Sequence, residues 1–260
     1  MKKTAEICTG SYEDCLRAYR AGASRVELNS ALCVGGLTPT TAVLRKVKEE
    51  TDLRVICMVR PRAGGFFYTP GEKEILMLEA RELLEAGADG LAFGFLRADA
   101  ELDEKSTAEM TELIHSFRAE AVFHRAFDLC RDPEKMMEKL IFSGVDRVLT
   151  SGRQAKAWEG REEIRRLQEA FGDRIEILAG SGVNAENARR LMEYTGISQV
   201  HSSCRGYRKD AAARTERVSY AYLPTPHEEE YDIVSEKLVR DFLEAAERDR
   251  NSISEEDQLF

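Results

Sequence analysis

Eight short β-like runs alternating with amphipathic helical stretches, glycine stops between helix and strand, and strand faces split into a polar and an apolar side together predict a closed (β/α)8 TIM barrel. The chain of 260 residues suits one such domain, expected over residues 1–246. Ala21-Gly22-Ala23, Ala86-Gly87-Ala88, Ser143-Gly144-Val145 and Thr195-Gly196-Ile197 each put glycine where a helix must stop and a strand begin. The strand faces choose the barrel over an open doubly wound sheet. Helices cover both sides of an open sheet, so its strands need near-continuous apolar runs. Here Val26 and Leu28 oppose Arg25, Glu27 and Asn29, and Ala5 and Ile7 oppose Thr4, Glu6 and Cys8. The apolar side can meet helices. The polar side needs the interior of a barrel that opens into a site.

In chain order the expected strands are Thr4–Cys8, Arg25–Leu28, Arg54–Val59, Gly90–Phe93, Ala121–His124, Arg147–Leu149, Ile175–Leu178 and Gln199–His201. Between them helical periodicity marks Pro39–Glu50, Glu72–Ala86, Ser106–Phe117, Pro133–Phe142, Arg161–Phe171 and Ala185–Tyr194. Residues 204–230 show no periodicity and end in Pro224-Thr225-Pro226, so a lid, an oligomer contact or a disordered excursion is expected there. Tyr231–Ala246 reads as the last helix, and the charged stretch 247–260 as a disordered tail.

Composition narrows the function classes. A net charge of −9 argues against a nucleic-acid or anionic-membrane surface. Met1-Lys2-Lys3-Thr4-Ala5-Glu6-Ile7-Cys8 has no apolar stretch of a secretory signal, and no run reaches membrane-span length. The six cysteines are scattered without a C-x-x-C or a disulfide framework. Reduced thiols and a cytoplasmic location are the expectation.

Barrel proteins build their sites at the C-terminal strand ends. Strand 1 brings Glu6 and Cys8 there, strand 2 Glu27 and Asn29, strand 3 Met58 and Arg60 followed by Arg62, strand 5 His124 with Asp128 just beyond, and strand 8 His201. Alternation turns His124 rather than Arg125 inward, as a general acid/base or a metal ligand, or as a buried histidine satisfied by Asp128 or a backbone carbonyl. Glu6 and Glu27 lie at similar depth on neighbouring strands, which raises one pKa unless a cation intervenes. Arg60, a metal, or an internal ion-pair layer with Arg25 and Arg54 could supply that cation. Gly180-Ser181-Gly182, ahead of a helix start, could offer N–H groups to an anion, with Ser151 in the preceding loop and Arg60 and Arg62 adding positive charge. Cys8, Cys33, Met58 and Cys204 are the soft-metal candidates, while Cys57 should point outward into the core.

The ordered motifs Arg25-Val26-Glu27-Leu28, Gly35-Gly36-Leu37-Thr38-Pro39, Arg60-Pro61-Arg62, Phe93-Gly94-Phe95-Leu96, His124-Arg125-Ala126-Phe127-Asp128, Leu149-Thr150-Ser151-Gly152 and Gly180-Ser181-Gly182-Val183 resemble the CutC family, from about Glu6 to His201. The resemblance implies a barrel, a cytosolic location, a homo-oligomer and copper homeostasis, with Cu(I) bound through cysteines. Many members carry cysteine where Asn29 stands, so Cys8 would need Cys33, four residues on, as its partner. The family's arginine-rich loop also usually carries an aspartate where this chain has Gly65. Two expectations follow. The first is a cytosolic Cu(I)-binding protein using Cys8 and Cys33. The second is a barrel enzyme acting on a small anionic substrate, for example a phosphorylated or sugar-like one. There His124 would be acid/base oriented by Asp128, Glu6, Glu27 and His201 would share the chemistry, and Arg60, Arg62, Ser151, Gly180, Ser181 and Gly182 would hold the anion.

Overall fold

A computed structural model describes residues 3–247. Its core is a closed barrel of parallel strands β1 to β8, in sequential order around the ring. They are β1 (Thr4–Thr9), β2 (Arg25–Leu28), β3 (Arg54–Met58), β4 (Gly90–Phe93), β5 (Glu120–Phe123), β6 (Arg147–Thr150), β7 (Glu176–Ala179) and β8 (Gln199–Ser202). The connecting helices are α1 (Tyr12–Arg20), α2 (Thr41–Glu50), α3 (Pro70–Glu85), α4 (Glu104–Ser116), α5 (Pro133–Phe142), α6 (Arg161–Phe171) and α7 (Ala188–Thr195). The predicted barrel is the observed one.

Local signals set the helix ends. Thr69 caps the Glu72 N–H and Glu72 caps Thr69 in return, with Pro70 opening α3. The glycines at the four helix-to-strand junctions all have positive φ, from +77° to +98°, which favours glycine.

The polar and apolar strand faces separate as alternation requires. Ile7, Val26, Leu28, Val55, Cys57, Phe93 and Phe123 are buried in the main core against the helices. Inside the ring a small separate cluster of Ile56, Met58, Ala92 and Val122 fills part of the lumen. Beside it lies an ion network. Arg25 Nε is 2.7 Å from Glu6 Oε2, and Arg147 reaches Glu6 at 3.3 Å and Glu176 at 3.2 Å. Arg54 pairs with Glu120 at 2.8 Å, and Glu120 also bonds Arg147, whose side chain is wholly buried. The internal ion-pair layer therefore exists, but it takes Glu6 and leaves Glu27 out.

Two expectations beyond β8 are corrected. Residues 204–230 are not wholly irregular: β9 (Arg205–Lys209) pairs antiparallel with β10 (Glu230–Val234). The last helix, α8, spans Glu236–Glu247, and Tyr231–Val234 belongs to β10 instead. Residues 231–234 form a strand despite their helical spacing because tertiary partners hold them: β10 pairs with β9, and the Val234 N–H donates to Asp14 Oδ1 at 2.8 Å, 220 positions away. The expected disordered tail lies outside the described residues, apart from Glu247 at the end of α8.

Candidate metal and ligand site

Strand register creates the site. In β1–β2 pairing Cys8 lies opposite Glu27, and in β1–β8 pairing Glu6 lies opposite His201. A cavity of about 320 Å³ opens above them at the C-terminal end of the ring, at the small end of ligand pockets. Cys8, Glu27, Asn29, Met58, Arg60, His124, His201 and the Gly180–Val183 turn line it, with Phe66 and Leu149 among the apolar walls. Glu6 is one step deeper, behind His201.

On one side Cys8, Glu27 and His201 present ligand atoms that all lie within 4.8 Å of one another. His201 Nδ1 is 2.9 Å from Glu6 Oε1, and its Nε2 is 4.0 Å from Glu27 Oε2. A carboxylate behind one ring nitrogen is the arrangement that orients metal-binding histidines and leaves the other nitrogen to the ion. Asn29 Nδ2 donates to Glu27 Oε2 at 2.9 Å and faces Cys8 Sγ at 3.6 Å, tying the cluster together.

Burial disfavours the Glu6 anion, but Arg25, the His201 hydrogen bond and Arg147 outweigh it and hold that carboxyl at about 2. Burial also disfavours the His201 cation, yet bonds to Cys8 and Glu6 and the Glu27 charge push its pKa well above the usual range. Glu27 is raised by burial and, despite His201, by the neighbouring Glu6. Burial raises the Cys8 thiol, with Glu27 adding to it. The two adjacent carboxylates are thus split as like charges in a dry site must be.

Opposite this cluster stands His124, 3% exposed. β5 ends at Phe123, and the chain turns into a 3-10 helix over Arg125–Leu129 with His124 as its cap. Because the strand stops there, both His124 and Arg125 line the cavity, where alternation allowed only one. The Ala126 N–H donates to His124 Nδ1 at 3.2 Å. Burial, then the Arg60 charge, lower His124 to about 3. His124 is a neutral imidazole, not a group that exchanges a proton near neutral pH.

The remaining residues are placed as follows. Asp128 does not touch His124. It accepts from Arg125 Nε at 2.8 Å, Thr150 Oγ1 at 2.5 Å, the Ser151 N–H and hydroxyl, and the Arg153 N–H. Ser151 is buried beneath this clasp and bonds Asp128 and Gln154 rather than facing the cavity. Arg62 turns away to pair with Glu72 and is not among the cavity residues. Cys33 is exposed on the 3-10 turn Leu32–Val34, outside the ligand cluster. The Gly180–Gly182 turn lines the cavity, but α7 starts only at Ala188, because Asn184 and Asn187 build an intervening turn of their own. The helix end is therefore not at the glycines. Of the four soft-metal candidates, Cys8 and Met58 reach the cavity, Cys33 does not, and Cys204 is buried against α8.

Fold and site define a (β/α)8-barrel protein with a mixed sulfur, nitrogen and oxygen donor cluster at the strand C-termini. The CutC family profile matches residues 3–206, and the chain belongs to that family. It is 44% identical over 209 residues to family protein CutC of Treponema denticola, covering 80% of this chain and 84% of the relative. It is 40% identical over 230 residues to that of Bacteroides thetaiotaomicron, covering 87% and 90%. Among solved structures, the putative copper homeostasis protein CutC of Streptococcus agalactiae superposes with a TM-score of 0.73 at 31% identity, over 77% of this chain and 98% of that one. Phosphoribosyl anthranilate isomerase of Thermotoga maritima superposes at 0.54 with 12% identity, over 95% and 98%, a likeness of fold alone.

Proposed function

We propose that this CutC protein handles copper, taking a Cu(I) ion as cargo at the barrel mouth through Cys8 and His201. The observation that carries the reading is the convergence of Cys8, His201 and Glu27 with Glu6 behind the imidazole. The donor chemistry fits. A thiolate and an imidazole suit Cu(I), the Met58 thioether lines the same cavity, and the Glu27 carboxylate is a hard, weaker partner. Cys8 would lose its thiol proton and His201 would give up its extra proton when the ion arrives. Cytoplasmic residence and a homo-oligomer belong to the same reading. They are supported by the free state of all six cysteines and by exposed Tyr207, Tyr220 and Tyr222 on the β9–β10 excursion. Among the described residues no helix is long and apolar enough to cross a membrane.

Anaerobic Cu(I) titration against a competing chelator tests the proposal. Cys8→Ser and His201→Gln should each lose most of the affinity, and Cys33→Ser should retain it. Unchanged affinity in the first two variants would discard the site.

A further inference from the structure

The wall that follows β3 holds a buried cation with no anion. Arg60 is 6% exposed, and among the described residues no Asp or Glu lies within ion-pair distance of it. Its Nη1 donates to the Val34 and Gly36 carbonyls and its Nη2 to the Gly64 carbonyl, at 3.0, 2.9 and 2.6 Å. These bonds fix the guanidinium but leave its charge uncompensated, and its Nε is buried without a partner. A buried charge in this state is costly unless something neutralises it.

His124 adds a second orphan. Its Nδ1 accepts the Ala126 N–H, so the ring proton sits on Nε2, and that Nε2–H is also buried without a partner. Gly94 keeps the ring in place, since a Cβ there would lie 2.5 Å from His124 Cε1. One side chain touches both orphans: the Phe66 ring lies 5.3 Å from Arg60 Cζ and 4.7 Å from the His124 ring centre. Its π face supplies partial negative charge to the guanidinium. The Phe66 backbone is held by the Leu96 N–H at 2.9 Å, and its side chain is only partly buried.

We propose that a small organic carboxylate binds this wall, replacing the Phe66 ring against Arg60 and His124, in the same cavity as the copper ligands but held by other residues. One cation matches one negative charge, and the two unpartnered nitrogens, Arg60 Nε and His124 Nε2, match two carboxylate oxygens. Phosphate, with a second charge and more oxygens to satisfy, fits less well. The apolar walls from Leu149 and Val183 suit the carbon body of such an acid.

The full chain, free of metal, is titrated calorimetrically with pyruvate, benzoate and inorganic phosphate. The wild type is followed in parallel by 15N-histidine NMR. The expected result is saturable binding of at least one carboxylate, with an Nε2–H signal of neutral His124 that shifts on its addition. Arg60→Met and His124→Leu should weaken binding by roughly tenfold or more, and His124→Gln, which keeps a donor near the Nε2 position, should largely restore it. Cys8→Ser should bind the carboxylate as wild type does, which separates this site from the copper reading. Response to phosphate alone, no response to either carboxylate, or binding indifferent to Arg60→Met would overturn the proposal. The NMR signal needs no variant, so it decides the case even if a substitution prevents folding.

Discussion

His201 Nδ1 and Glu6 Oε1 lie 2.9 Å apart at the point where the last barrel strand closes on the first. This one bond joins the two halves of the lumen, the structural ion network below and the ligand cavity above. Glu6 holds Arg25 and Arg147 with one oxygen and aims His201 with the other.

Glu6→Gln should therefore act twice. It leaves two buried guanidinium groups short of a partner, a loss of about 3–5 kcal/mol in denaturant unfolding. It also removes the acceptor that fixes the His201 ring, so Cu(I) affinity should fall in a variant that still folds. Full stability in Glu6→Gln would show that the network does not depend on this carboxylate.

Stability should decline towards acid in two overlapping windows, of which only the stretch above pH 4.5 belongs to His124 alone. His124 has a folded pKa of about 3 against an ordinary 6.5, so the unfolded chain takes up a proton that the native protein refuses. That contribution is complete above pH 6.5 and is lost as the pH falls towards 3, on the order of 5 kcal/mol in all. Glu6, at about 2 against 4.5, contributes fully above pH 4.5 and loses its share, about 3 kcal/mol, only below that. His201 works in the opposite sense: its share is complete below 6.5 and goes as pH rises through its raised folded pKa. Urea unfolding of His124→Gln should be flatter than wild type between pH 6.5 and 4.5. Parallel curves there would mean that His124 is not held neutral.

Asp128→Ala should destabilise without touching either ligand. The carboxylate gathers Arg125, Thr150, Ser151 and Arg153 into one clasp, and removing it strands buried donors at a cost of about 2–4 kcal/mol. Copper and carboxylate affinities, measured below the unfolding transition, should stay within experimental error. A selective loss of carboxylate binding would instead return Asp128 to the neighbourhood of His124.

Asn29→Cys should tighten Cu(I) binding. Asn29 Nδ2 already sits 3.6 Å from Cys8 Sγ, so a thiol at position 29 would add a second soft donor at the right depth. The competing-chelator titration should show at least a tenfold gain, by roughly the weight of one added soft ligand. No gain would count against Cys8 as the ligand that matters.

Period-two alternation and glycine punctuation were enough for the sequence to determine the barrel, its strand positions and which residues face the lumen. Glu6, Cys8, Glu27, Met58 and His201 all point inward because a side chain's face on a strand follows from its parity alone, and Arg60 and His124, just past their strand ends, reach the same cavity. Parity carries no information where a strand ends. There the tertiary structure decided: the turn at His124 brought Arg125 to the cavity, Asp128 went to the neighbouring loop, and β10 claimed residues whose spacing looked helical. It also decided the partners. Glu6 and Glu27 look alike in sequence, but strand register gave the first two arginines and left the second beside a thiol and an imidazole. Cys33 and Arg62 sit on loops, where position along the chain does not fix direction, and both face away from the cavity that their chemistry suggested.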